Sequence, residues 1–401
     1  MNAIVRGVRA WFAIPLMLRV AIGLWLALFF GVLGRVVFSP VTSQSVVPIY
    51  LGAGERWLEA KPLYGVVCDD DLFRNPPGFA LLFSGVTSAP PKLVAIVWRM
   101  IGIGIFLWGL VQWRRILGSS KSGWSLSVAA LLILPSFNNG QVNLHVVGCV
   151  LCGMSAAAYK RWWLASAWLT AGIALKLYPI AAAGLAFVVQ PRKLFPRLLV
   201  LSAAAFAVPF LFQEPLYVVY QHEEFITCAM EDDRTHAIPD RVPRDWTIIP
   251  HLYFDVIASQ ETELVVSIVS GLLMAGLVWF RRTEGFALPL ALALIWMTLF
   301  GPATESNTYS LLAPLAFLLD RPMRRWQKFA TIIAVVLLGY SVIRGSAPKQ
   351  WGYNPATSQP IAATLLLLVV LTRGCVGWDQ LDGKRNTSSD ELETPAAAEA
   401  D

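Results

Sequence analysis

Eleven long stretches free of Asp, Glu, Lys and Arg are read as candidate spans: residues 20–34, 100–113, 122–159, 162–175, 177–191, 198–213, 264–280, 285–304, 306–319, 329–343 and 350–372. A membrane-spanning helix needs about 20 mainly apolar residues, and fewer suffice in a packed bundle. The stretch 122–159 is too long for one crossing and is interrupted by the turn-rich run Pro135-Ser136-Phe137-Asn138-Asn139-Gly140-Gln141, so it reads as two helices. The pattern predicts an all-α, polytopic integral membrane protein with about twelve transmembrane helices. Composition agrees. The 401 residues are 56% hydrophobic and 14% charged, against about 25% charged in a soluble domain, which excludes an ordinary soluble enzyme.

Charge placement orients the bundle. Arg6, Arg9 and Arg19 precede or open the first stretch and put the N-terminus on the cytoplasmic side by the positive-inside rule. Together with these three, the connections on that side hold 17 basic and two acidic residues, whereas the two long connections on the other side, 35–92 and 214–263, hold eight basic and 16 acidic residues. The bias never inverts, so both termini are expected in the cytoplasm. The first stretch continues without a small-residue cleavage site and is expected to be retained. Residues 1–375 form the expected transmembrane domain, and the acidic tail 376–401 is expected to be disordered.

The unusual polar residues fall on the outer side. An amphipathic stretch from Val46 to Glu59 is expected to lie along the interface. The segment Cys68-Asp69-Asp70-Asp71-Leu72-Phe73-Arg74-Asn75-Pro76-Pro77-Gly78-Phe79 follows, with an apolar run too short for a crossing. The turn Asn138–Asn143, the junction Lys176-Leu177-Tyr178-Pro179 and the turn Glu305-Ser306-Asn307-Thr308-Tyr309 complete the set. Polar groups at membrane depth are costly and tend to face a cavity. Each also has an ordinary reading: solvated helix ends, a snorkelling lysine, amides that cap the next helix.

These residues resemble glycosyltransferase family 87, multi-spanning enzymes that include mycobacterial α-mannosyltransferases using polyprenyl-phosphate-mannose. The likeness runs over roughly residues 40–320. It is carried by Tyr50 to Tyr64 with Asn75-Pro76-Pro77-Gly78-Phe79-Ala80-Leu81-Leu82, similar to a Y…YPP-x-x-A-L-L stretch; by Gly140-Gln141-Val142-Asn143, similar to a G-Q-x-N turn; and by Ala174-Leu175-Lys176-Leu177-Tyr178-Pro179, similar to an A-x-K-x-x-P step. The resemblance implies a C-type glycosyltransferase fold with its active site on the outer, periplasmic face of the cell membrane. It implies a polyprenyl-phosphate-linked sugar donor, mannose above all, and a lipid or glycan acceptor. Where the family carries its proposed catalytic Asp this chain has Val46, and no carboxylate lies between Arg35 and Glu55.

Transfer with inversion needs a carboxylate to deprotonate the acceptor, cations for the leaving phosphate and an apolar groove for the lipid. Candidates for the base are Asp70, Asp71, Asp69 and Glu55 in the first outer loop and Glu305 in the late one, Asp71 being nearest to Arg74 and Pro76. Lys176 leads for the phosphate because it alone interrupts the charge-free region from Trp162 to Pro191, with Arg74 and Arg99 in support. Gln141, Asn143, Asn139 and Tyr50 suit recognition of sugar or acceptor. No metal, cofactor or nucleic acid is called for: the histidines and acids of 214–263 match no zinc spacing and read as an acidic lid. Cys68 and Cys228 fall in outer loops where a disulfide could form. Two other readings fit the same chain: a transporter or lipid flippase, and a catalytically inactive relative.

Overall fold

The computed structural model describes residues 14–43, 45–64, 73–117, 123–231, 244–301, 304–344 and 357–374, and these contain helices and no strand. In chain order the helices are α1 (Leu16–Phe38), α2 (Val47–Leu58), α3 (Pro77–Ser84), α4 (Pro91–Ile116), α5 (Gly123–Asn139), α6 (Asn143–Ala158), α7 (Trp162–Leu175), α8 (Ile180–Val189), α9 (Pro191–Ala207) and α10 (Pro215–Glu231). They continue with α11 (Ile248–Phe254), α12 (Gln260–Phe280), α13 (Ala287–Leu299), a 3₁₀ helix at Ser306–Asp320, α14 (Arg325–Arg344) and α15 (Ser358–Gly374). Each charge-free stretch carries a helical element. Four segments, α1, α4, α12 and Pro191–Leu211, are long and apolar enough to cross a membrane alone. The tail 376–401, the aspartates Asp69, Asp70 and Asp71, and Cys68 lie outside the described residues.

Helices that are apolar on every side belong in the middle of a bundle. Every residue of α6 from Asn143 to Ala157 is buried, as is every residue of α13 from Leu288 to Leu299 except Trp296. Around them α1, α9 and α12 turn bare apolar side chains outward, among them Phe30, Leu199 and Leu272, as helices facing lipid would.

Side-chain bonds fix the directions of neighbouring helices. The Trp25 indole of α1 donates to the Leu126 carbonyl near the start of α5, and Arg35 near the end of α1 reaches Asn138 at the end of α5, so the two run parallel. The 3₁₀ helix is tied to α5 at both ends, Ser136 Oγ donating to the Asn307 carbonyl (2.6 Å) and Ser125 Oγ to Asp320 (2.7 Å). A 3₁₀ run of 15 residues is long, since such runs seldom exceed a few residues. Its steeper rise of about 2.0 Å per residue carries the segment about 30 Å, the thickness of a bilayer core, where an α-helix of that length would reach only about 22 Å.

Two differences from the sequence reading have clear causes. Helix α5 passes through Pro135 and stops only at Gly140, because a proline removes one backbone bond whereas Gly140, at φ +72°, turns the chain out of the helix. The acidic connection 214–263 is partly built: α10 and α11 are formed within it.

Helix α4 lies parallel to α6 at very close range. A Cβ on Gly148 would come within 2.7 Å of the Phe106 nitrogen, and one on Gly109 within 2.7 Å of the Leu151 Cβ. Small residues at such crossings let backbones approach and gain packing energy that lipid does not supply. Replacing Gly148 with leucine should therefore destabilise the bundle by about 3 kcal/mol, read as a lower melting midpoint in detergent. The control Gly104→Leu, where an added Cβ meets open space, should leave the midpoint unchanged.

Candidate active site at one end of the bundle

The site is organised around the turn 138–143 between α5 and α6. The last turn of α5 exposes carbonyls at the negative end of the helix dipole and contains no basic residue of its own. Two arginines from other helices supply the missing donors. Arg35, at the end of α1, donates to Asn138 Oδ1 (2.7 Å) and to the Asn138 carbonyl (2.6 Å). Arg99, 2% exposed within α4, donates to the carbonyls of Phe137 (3.0 Å), Asn138 (2.9 Å) and Ala95 (3.0 Å) and to Ser45 Oγ (3.2 Å). The Trp98 indole donates to the Gly140 carbonyl (2.9 Å). Gly140 is required twice over, by its positive φ and because a Cβ there would stand 2.8 Å from the Arg99 guanidinium carbon.

The turn held in this way gathers residues from distant parts of the chain. Gln141 Nε2 donates to Glu305 Oε2 (2.9 Å), and Gln141 Oε1 accepts from Asn143 Nδ2 (2.6 Å). Asn143 Oδ1 accepts from the buried Tyr178 hydroxyl (2.8 Å). Glu305 begins the 3₁₀ helix with a reciprocal cap to Thr308. Arg74 Nη1 stands 3.5 Å from Glu305 Oε1, with 32% and 38% of the two side chains exposed. An ion pair so long and so open contributes less than about 1 kcal/mol, and both groups face solvent and any ligand. The neighbour of Arg74, Asn75, is buried; its amide donates to the Leu175 carbonyl (2.8 Å) and its own carbonyl accepts from Tyr64 (2.6 Å).

Lys176 caps α7 in an extended conformation, and its ammonium lies 5.0 Å from the centre of the Tyr178 ring. Tyr50 is buried on α2 with its ring against Phe79, Phe83 and Trp98. Burial pushes its phenol pKa well above the usual range; the Val142 amide lowers it in part, and the Glu305 carboxylate raises it further. Tyr50 therefore keeps its proton beside the carboxylate. The Val46 amide donates to the Asn139 carbonyl (3.0 Å), so Val46 borders the same turn as Glu305.

Gln141, Asn143, Glu305, Arg74 and Tyr50 are thus brought together, and Lys176 joins them through Tyr178. Glu55 is not: it is exposed on the far side of α2 from Tyr50. Arg99 sits beneath the turn with its donors on backbone carbonyls and the Ser45 hydroxyl. Asn139 takes part through its carbonyl. The sequence reading assigned no role to Tyr178, Asn75, Arg35 or Thr308, although the helix break at Lys176 and the arginine closing the first stretch were signals for two of them. A second layer was also missed. The Tyr309 hydroxyl donates to the Arg244 carbonyl (2.5 Å), and Gln359 Nε2 donates to the carbonyl and hydroxyl of Ser306 (3.0 and 3.1 Å).

Beside this end runs an apolar groove of about 680 Å³ between α3, α4, α6, α7 and the end of α9, walled by Phe79, Phe83, Trp98, His145, Trp168 and Leu175. Trp98 belongs to both features, since it bonds the Gly140 carbonyl and stacks on His145 at 3.7 Å. Leu175 lines the groove and is followed directly by Lys176.

An all-helical bundle with helices of membrane-spanning length and a polar cluster at one end defines an integral membrane protein with a terminal site. The sequence narrows the class. The model of glycosyltransferase family 87 matches residues 73–304, more than half of the chain, and the chain belongs to that family; it is a membrane glycosyltransferase. Comparison with curated proteins gives no match. The matched span includes Arg74, the 138–143 turn and Lys176, and stops one residue before Glu305.

Because Arg99 satisfies carbonyls that would otherwise be buried without donors, Arg99→Met should cost about 3 kcal/mol or more and lower the melting midpoint. Lys176→Met should leave the midpoint within about 2 °C of wild type, as surface substitutions usually do. Equal midpoints for the two variants would mean that Arg99 does not support the turn.

Proposed function

We propose that this protein moves a hexose, mannose by the family resemblance, from a polyprenyl-phosphate donor to a lipid or glycan acceptor on the outer face of the cell membrane. The observation that carries the proposal is the meeting, at one end of the bundle, of a carboxylate, two cations and amide groups beside an apolar groove whose rim residue, Leu175, adjoins Lys176. The groove would take the lipid chain of the donor, and Lys176 and Arg74 its phosphate.

In the proposed reaction an acceptor hydroxyl attacks the anomeric carbon as the bond from that carbon to the phosphate oxygen breaks. The hydroxyl proton passes to Glu305, and the polyprenyl phosphate leaves with one more negative charge, which the cations stabilise. Glu305 takes the part of the family aspartate replaced by Val46. It suits that part because it borders the same turn and is partly open to solvent, while Gln141 keeps one of its oxygens oriented.

Purified protein should transfer label from a synthetic polyprenyl-phosphate-mannose. Glu305→Gln should lower kcat by about 100-fold with little change in donor KM. Lys176→Met should abolish transfer, and Lys176→Arg should retain part of it, because the charge survives while the geometry changes. Near-normal turnover in both Glu305→Gln and Lys176→Met would overturn the assignment.

The proposed sidedness has its own measurement. Cysteines placed at Gln141 and Asn307 should react with an impermeant thiol reagent in intact cells or spheroplasts. Labelling only after permeabilisation would put the site on the cytoplasmic face.

A further inference from the structure

We infer that Tyr178 is a positioning residue that sets the direction of an amide relay ending on Glu305 while its ring seats Lys176, which couples the proposed base to the proposed phosphate cation. The inference rests on the reading of Glu305 and Lys176 given above. Neither the family match nor the sequence motifs assign Tyr178 a role.

The direction of the relay follows from hydrogen-bond chemistry. An ionised carboxylate only accepts, so Gln141 must present Nε2 to Glu305. Gln141 then presents Oε1 to Asn143, Asn143 must answer with Nδ2, and its Oδ1 is left for a donor. Tyr178 supplies that donor at 2.8 Å, and the following links measure 2.6 and 2.9 Å. A hydroxyl is the group at this end that fixes which way both amides face. Without it, Asn143 can turn over, and Gln141 can then turn its carbonyl oxygen toward Glu305, where it accepts from the protonated carboxyl and repels the ionised one.

Glu305 also faces Arg74 at 3.5 Å, its own cap at Thr308 and the phenol of Tyr50, and Arg244 and Asp245 lie near Tyr309 on the following turn. The Gln141 amide, at 2.9 Å, lies closer to the carboxylate than the Arg74 guanidinium does. The ring of Tyr178 acts separately, because its face holds the Lys176 ammonium by a cation–π contact that survives loss of the hydroxyl.

The two functions separate by substitution. Tyr178→Phe keeps the ring and should lower kcat by about tenfold while donor KM stays within about twofold. Tyr178→Leu should lower kcat and also raise donor KM by about fivefold or more, since Lys176 loses its seat. A substrate-free measurement accompanies these: a hydrophobic carbodiimide modifies protonated carboxyl groups, and at neutral pH it should label Glu305 at least about threefold faster in Tyr178→Phe than in wild type. Gel filtration of each variant monitors folding. Unchanged kcat and unchanged labelling in Tyr178→Phe, with wild type active, would overturn the relay and leave the function standing. Faster labelling in a protein that transfers no sugar would uphold the relay and remove the glycosyl-transfer reading.

Discussion

The site depends on how the end of α5 is closed. A helix that stops inside a membrane protein leaves carbonyls that water cannot reach, and each costs more than an ordinary hydrogen bond contributes. Here Arg35, Arg99 and Trp98 reach across from α1 and α4 to satisfy them. The two guanidinium groups meet on one carbonyl, that of Asn138, and the negative end of the helix dipole offsets part of their mutual repulsion. Gly140 allows the turn to form against the Arg99 head group, and Gln141 and Asn143 then leave it in a fixed orientation.

The polar end and the apolar groove are two sides of one construction. Trp98 bonds the turn through its indole N–H and offers its ring to the groove, so the position of the polar groups and the shape of the apolar wall are set together. Asn75 does similar work on the other flank by tying the Arg74 segment to the end of α7, one residue before Lys176. An amphiphilic donor has its lipid chain and its leaving phosphate joined by a single bond, and a site for it needs this kind of continuity between apolar and charged surfaces.

Family membership and site geometry divide the residues unevenly. The family model covers Arg74, the 138–143 turn and Lys176, whereas Tyr50, Val46 and Glu305 lie beyond its limits. The carboxylate that meets the turn therefore comes from the part of the chain where the family likeness says least. The same holds for the layer behind it, in which Gln359 from α15 grips Ser306 and so steadies the cap that Glu305 forms. The proposed role of Glu305 in place of a carboxylate at Val46 requires only that both segments border the same few atoms, and they do.

Helix content and the apolar stretches were determined by the sequence, because the absence of charge over a run of residues is a local property that bilayer or bundle burial demands wherever the run ends up. The list of polar clusters was legible for the same reason: Gln141, Asn143, Lys176 and Glu305 each interrupt apolar surroundings. Their partners were not legible. Whether Arg99 meets a ligand or closes a helix depends on what stands opposite it, and residues 137 and 138 do so only after α4 and α5 have packed. Glu55 and Glu305 are equally carboxylates in the sequence, and the rotation of α2 leaves the first on an exposed face while the capping turn carries the second to Gln141. In the sequence Tyr178 is part of a helix break, and only tertiary structure puts its hydroxyl on Asn143 and its ring beneath Lys176. Composition fixes which residues are costly to bury, but hydrogen bonds between groups far apart in the chain decide where each one points.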